Sequence, residues 1–186
     1  AKALPGEAGA EEAVALRRGQ MMHVLLEHLP GLAPQMRETA GRRYLARLAA
    51  SPDEAEACLA EARLLMAQPA VARLLAGDGL SEVSLSGEWN GRRMLGVIDR
   101  LLIMPEKVLA VDFKSNRVVP EDAAQVPEGV LRQMGAYAHL LRALYPGRAV
   151  ETVLIWTASA RIMEIPAALG AAALARAALD PALGRS

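Results

Sequence analysis

Cysteine is almost missing from this sequence: Cys58 is the only one in 186 residues. That excludes an intrachain disulfide, a zinc site built from thiolates and an iron–sulfur cluster held by four cysteines. With nothing nearby in sequence to activate its thiol, Cys58 reads as a small core residue. Aromatic side chains make up 3% of the chain, with one phenylalanine, while alanine, leucine and arginine are plentiful. The bias points to genomic base composition rather than to function. Neither sign of charge dominates. The 21 Lys and Arg balance 21 Asp and Glu, and the pI is near 7.1. A free-standing, tight nucleic-acid binder is not expected from that balance, whereas a local basic channel or a catalytic module fed by a larger assembly is compatible with it. No apolar run reaches membrane-spanning length, and no signal peptide or low-complexity tract is present. No membrane partner and a reducing cytoplasm are therefore the expectation. Also lacking are G-x-x-x-x-G-K-[ST], G-x-G-x-x-G, G-x-S-x-G and H-E-x-x-H, the usual marks of nucleotide hydrolysis, dinucleotide chemistry, serine hydrolysis and zincin chemistry.

What is present suffices for one globular domain, since 53% of the residues are hydrophobic and the length allows a substantial core. The opening AKALPGEAGA reads as a linker over residues 1–10, and the domain spans 11–186. Residues 11–79 are predicted helical, 80–165 form a sheet core, and 166–186 close the chain with an alanine-rich helix. Glu11 to Leu29 repeats apolar residues at helical spacing, with Val14, Met21, Met22, Leu25, Leu26 and Leu29 on one side, and stops at Pro30-Gly31. His23 and Glu27 lie one turn apart on it. Taken by itself, His23 is a satisfied histidine at the rim of the apolar face. Gly19, one turn earlier, would admit another backbone or a DNA strand, and an ordinary helix contact explains it equally. A second helix, Gln35 to Ala50, should turn Met36, Tyr44, Leu45 and Leu48 inward and Arg37, Arg42, Arg43 and Arg47 to solvent. Ser51-Pro52-Asp53-Glu54 has the form of a capping box opening a third, which carries Leu59, Leu64, Leu65 and Met66 towards Pro69.

The period then changes from helix to strand. Leu80 to Trp89 alternates, Asn90-Gly91 is a two-residue hairpin turn, and the next two runs, Arg93 to Met104 and Lys107 to Ser115, flank Pro105-Glu106. If Met104 faces Lys107 across that turn, Ile103 pairs with Val108, Leu101 with Ala110 and Asp99 with Asp112. Opposed residues of an antiparallel pair have Cβ atoms roughly 4.5 to 5.5 Å apart, and the strand period places Lys114 on the same face as Asp112. Two poorly solvated carboxylates this close repel each other. A divalent cation between them would resolve the conflict, and a neighbouring lysine suits a site that handles phosphate. The alternative is an ion pair with Arg92, Arg93 or Arg100, although Arg100 should face the other way. Glu82, opening the first strand, is either part of this site or an exposed strand-edge acid. Ser115 to Glu128 reads as a loop. Val130 to Tyr145 is a helix projecting Gln133 and Tyr137 together, an amide and a phenol placed to bind a phosphate and stack on a base, or routine helix decoration. Two strands, Val150 to Thr157 and Arg161 to Ile165, precede the last helix. This order implies a mixed sheet with helices on both faces.

His23 in GQMMHVLLE, Gly96-Val97-Ile98-Asp99, Asp112-Phe113-Lys114 and Gln133-x-x-x-Tyr137 resemble, in order and spacing, the successive motifs of the RecB-type PD-(D/E)xK nucleases. Ile98-Asp99 stands where the family name has Pro-Asp. The resemblance covers roughly Gly19 to Ile165. It implies an α/β (α+β) fold with a three-layer α/β/α restriction-endonuclease-like core, a mixed sheet of about five strands and an added N-terminal helical segment. It implies His23, Asp99 and Asp112 as metal ligands with the Phe113 carbonyl, Lys114 as catalytic lysine, Gln133 and Tyr137 near the substrate, Glu82 at the rim and Glu27 behind the ligands. The ion would be Mg²⁺, with Mn²⁺ as a substitute and no iron–sulfur cluster, and the products would carry 5′-phosphate and 3′-hydroxyl ends. Within the family the pattern is similar to the AddA branch, the C-terminal nuclease domains of helicase-nucleases in double-strand-break repair. That likeness implies DNA, helicase domains of the same chain and an AddB-like subunit as partners. The rival readings are a catalytically silent DNA- or protein-binding module of the same fold and a stand-alone phage-type exonuclease.

Overall fold

The computed structural model describes residues 5–179, and the side chains of 12–177. Of the expected linker, residues 1–4 lie outside the described residues, as do 180–186 of the expected closing helix. The chain divides into two compact units: Ala1–Gly77 with Phe113–Val119 and Trp156–Arg161, and Asp78–Asp112 with Pro120–Ile155 and Ile162–Ser186.

Four helices build the first unit: α1 (Pro5–His28), α2 (Pro34–Arg47), α3 (Pro52–Ala67) and α4 (Pro69–Leu75). α1 starts at Pro5, ahead of the expected Glu11; Pro5 suits a first helical position, and Glu7, Ala8 and Ala10 carry the helix past Gly6 and Gly9. Met21, Met22, Leu25, Leu26 and Leu29 are all at most 2% exposed and meet Leu45 of α2 and Cys58, Leu59, Ala62 and Leu65 of α3 in one core. Truncating one such leucine to alanine costs about 2 to 5 kcal/mol. Gly41 lets α2 and α3 close up, since a Cβ there would overlap the Leu59 side chain. The predicted capping box is formed: Ser51 Oγ accepts from Glu54 N–H at 3.2 Å, and Glu54 Oε2 accepts from Ser51 N–H at 2.8 Å. Val14 and Met36, expected on the apolar sides of their helices, are instead 65% and 57% exposed. Met36 lies nine residues before Leu45, about half a turn round α2 from it, and Val14 lies in line with Met21 and Leu25 but two turns ahead of the buried stretch. Of the α2 arginines, Arg42 bridges Glu38 and Glu56, and Arg37 donates to the carbonyls of Leu32 and Pro30. Both are thus engaged with the chain itself.

The second unit carries most of a five-stranded sheet in the order β1-β2-β3-β4-β5, with β1 (Leu80–Trp89), β2 (Arg92–Ile103), β3 (Lys107–Lys114), β4 (Ala149–Trp156) and β5 (Arg161–Ile165). Asn90 and Gly91 both have positive φ, 51° and 72°, as a type I′ turn requires. That turn fixes Trp89 against Arg92 and, further along, Val83 against Ile98 and Ser81 against Arg100. At the other hairpin Met104 N–H donates to Lys107 O at 2.8 Å, and Ile103 pairs with Val108 and Leu101 with Ala110, the predicted register. β3 and β4 run parallel: Ala149 N–H donates to Glu106 O at their start, and Thr157 N–H to Lys114 O at their end. A parallel pair needs a crossover, supplied by a short 3₁₀ turn (Ala123–Gln125) and α5 (Glu128–Leu144). α5 lies on β1 and β2, with Leu140 over Gly87 and Tyr137 over Gly96. α6 (Ala167–Leu179) packs on α5 where Gly135 meets Gly170, an approach that leaves no room for a Cβ on Gly135.

Candidate functional site

The two hairpin turns together align three acids. Arg100 pairs with Val111, so one step further the same register sets Asp99 opposite Asp112. Asp99 also lies between Ile98 and Arg100, whose partners Val83 and Ser81 flank Glu82. Glu82, Asp99 and Asp112 therefore form a row across β1, β2 and β3. Carboxylate oxygens of Glu82 and Asp99 approach within 4.8 Å. Asp99 is 8% exposed and Asp112 2%, while Glu82 is exposed. Arg100 turns to the opposite face, as expected, where it donates to Ser81 Oγ at 3.2 Å. Glu82 has φ 51° near the start of β1. A left-handed conformation at a non-glycine residue costs on the order of 1 kcal/mol or more and is concentrated at functional sites. Sequence reasoning left Glu82 at the rim, yet the Asn90-Gly91 turn already fixed its partner as Asp99.

His23 is placed by a helix rather than by a register. Its Nε2 lies 3.2 Å from the carbonyl oxygen of Phe113, and the two rings meet edge to face at 6.1 Å. Phe113 follows Asp112 and precedes Lys114 on β3. One turn before His23, Gly19 faces Ser115, where a Cβ would come to 3.2 Å of Ser115 Oγ. Arg18 donates to the Ser115 carbonyl and pairs with Glu61 of α3. Three consecutive contacts thus tie α1 to the end of β3. Arg18 was not singled out from the sequence; its neighbour Gly19 was the available signal.

In one unit the His23 imidazole and the Phe113 carbonyl, and in the other the carboxylates of Glu82, Asp99 and Asp112, are of donor types that a divalent cation accepts. An octahedral ion with bonds of about 2.1 Å spaces adjacent ligand atoms about 3 Å apart, and His23 Nε2 and the Phe113 oxygen stand 3.2 Å apart. Carboxylates and a carbonyl are the donors that Mg²⁺ and Mn²⁺ favour, and an imidazole is acceptable to Mn²⁺.

Gln133 and Tyr137 do project together. Gln133 Nε2 donates to Tyr137 Oη at 2.7 Å, and Tyr137 in turn donates to the Val97 carbonyl. At 2% exposure Tyr137 leaves no ring face for a base. Gly96 has no side chain, so the ring occupies that space, where a Cβ would come within 2.8 Å of it. Burial, and then the charge of Asp112, raises the Tyr137 pKa, so the phenol stays a donor. Tyr137 therefore supports β2 two residues before Asp99. Glu27 turns to His28, Oε2 to Nε2 3.7 Å, and His28 stacks on Tyr44. Burial also pushes the Cys58 thiol pKa up, which keeps it inert.

A family profile described as "PD-(D/E)XK nuclease superfamily" matches residues 3–182. No curated protein matches the sequence. Among solved structures, the chain is similar to a protein described as "Putative exonuclease" from Eubacterium rectale, with a TM-score of 0.50 and 14% identity over 69% of this chain. The match spans 53% of that protein, about half its length. A second likeness, to SSO0001, has a TM-score of 0.42 and 19% identity over 88% of this chain and 75% of the other. The mixed five-strand sheet with its six α-helices among the described residues is the restriction-endonuclease-like α/β fold. No described helix is long and apolar enough to cross a membrane.

Proposed function

Because the chain belongs to the PD-(D/E)XK nuclease superfamily, we propose that it is a divalent-metal-dependent nuclease hydrolysing phosphodiester bonds at DNA ends or in single strands. Asp99, Asp112, His23 and the Phe113 carbonyl hold the cation, Mg²⁺ with Mn²⁺ as a substitute. The observation that carries the reading is the register that brings Asp99 opposite Asp112, two residues before Lys114. Bound there, the cation supplies Lewis acidity to a phosphate oxygen and acidity to a water. The two carboxylates hold it in place, and their mutual repulsion is thereby relieved. Lys114, with three ammonium donors, orients the attacking water and stabilises the negative charge that grows on the phosphate. Gln133 contributes its amide near the substrate, Tyr137 acts by fixing Val97, and Glu82 completes the acid row.

The order and spacing of His23, Asp99, Asp112, Lys114, Gln133 and Tyr137 support placing this activity in an AddA-type helicase-nuclease of double-strand-break repair, in the cytoplasm. Helicase domains and an AddB-like subunit would deliver the unwound strand. The likeness of fold to the E. rectale protein favours a second reading, a stand-alone exonuclease. An end-labelled single-stranded oligonucleotide incubated with the chain and Mg²⁺ tests the activity. Cleavage should vanish with EDTA, return with Mg²⁺ or Mn²⁺, and fall about a thousandfold in Asp112→Ala. Equal rates in wild type and variant would remove the enzyme, and binding without cleavage would leave a silent module. Digestion of duplex ends by the chain alone, without ATP, would favour the stand-alone reading.

A further inference from the structure

Among the described residues, the β1–β2 hairpin is covered on one face only. α5 lies over Leu85, Gly87, Gly96 and Ile98. The other face presents Ser84, Ser86, Leu95 and Val97, all exposed, with Leu95 at 73% and Val97 at 44%. Ser84 pairs with Val97 and Ser86 with Leu95, so two successive rungs each set a hydroxyl beside an aliphatic side chain. The rung before them is Glu82 with Asp99. The rung after is Glu88 with Arg93, one charge of each sign. The strip thus starts at the acid row and runs along β2 for about 13 Å, four residues at about 3.3 Å each.

Its composition distinguishes among occupants. A duplex would set phosphates of both strands against it and require several lysines or arginines, but the only cation on these rungs, Arg93, stands opposite Glu88. A protein partner of ordinary size buries about 800 Å² per side, far more than two aliphatic side chains offer. An unpaired strand leaving the acid row presents sugars and base faces to Leu95 and Val97 and phosphate oxygens to the two serines. We propose that this uncharged strip binds the nucleotides of single-stranded DNA next to the scissile phosphate. The assignment rests on the nuclease reading above and adds to it the residues that hold an unpaired strand beside the acid row.

The test uses the whole chain and a single-stranded oligonucleotide, with KM from cleavage in Mg²⁺ and Kd from fluorescence anisotropy in Ca²⁺. Leu95→Thr combined with Val97→Thr puts β-branched residues, which favour strands, at both positions, so the hairpin is retained. KM and Kd should rise together by about fivefold or more, with the salt dependence of Kd unchanged because no phosphate-contacting charge is lost. Leu144→Ser, which removes an exposed leucine at the end of α5, should keep wild-type values. Leu95→Tyr should tighten Kd by adding a ring on which a base can stack. Unchanged KM and Kd in the double variant, or an equal loss in Leu144→Ser, overturns the proposal. So does sedimentation showing a wild-type dimer that the double variant dissociates at constant Kd, which would assign the strip to a second copy. Failure of the wild type to cleave in either Mg²⁺ or Mn²⁺ removes the nuclease reading alone, and Kd in Ca²⁺ still decides the role of the strip.

Discussion

The three acids of one unit and the imidazole of the other reach their positions by different routes. Glu82, Asp99 and Asp112 are aligned by two tight turns, Asn90-Gly91 and Pro105-Glu106, each within about ten residues of the acids it places. His23 is brought to Phe113 across ninety positions of sequence, by a helix that docks through Arg18, Gly19 and His23. Register is close to all or none, because a slip of one residue would send every side chain of a strand to the other face. Helix docking is graded. A small change at the contact shifts the ring without undoing the fold.

Substitutions separate the two routes. Asp99→Asn should have the largest effect, a loss of about three orders of magnitude in kcat for oligonucleotide cleavage. Its melting temperature should match or exceed that of the wild type, because a like-charge contact is removed. Should Asp99→Asn unfold the protein, the row is structural. Gly19→Val should wedge Ser115 from α1 and cost about a hundredfold in activity, and His23→Ala should cost about the same. Mg²⁺ titrations should show the half-saturating concentration rising in both variants, and a normal titration for Gly19→Val would uncouple helix docking from the cation. Tyr137→Phe, which withdraws the donor from the Val97 carbonyl, should cost about 1 kcal/mol in denaturant unfolding. Because the folded state holds the Tyr137 pKa above its ordinary value, the wild type should lose stability as pH rises past about 10, and Tyr137→Phe should lose less. The smallest effect belongs to the first unit. Its hydrogen bond from Arg17, and then the Ser51 N–H, hold Glu54 down to about 2. Its contribution is therefore complete above about pH 4.5 and fades as pH falls towards 2. Glu54→Gln should flatten that acid limb in thermal melts, leaving activity at neutral pH unchanged.

The same contrast explains what could be read from the letters. Turn chemistry at Asn90-Gly91 gave β1–β2 pairing, and the Pro105-Glu106 connection gave Asp99 against Asp112, because both are local rules. The side of a helix that is buried is a tertiary property. Met36 has the hydrophobicity of a core residue, but α2 buries the side that carries Gly41 and Leu45, about half a turn away. Tyr137 was expected to meet a base and instead fills the space over Gly96, a partnership visible only once α5 is laid on the sheet. Glu27 shares a ridge with His23, yet its carboxylate turns to the adjacent His28.

Glu82 sits where the backbone would rather have glycine. A search for heat-resistant variants of this chain should therefore recover Glu82→Gly, melting higher, and a slower turnover in that variant would mark the strained acid as one kept for the proposed chemistry.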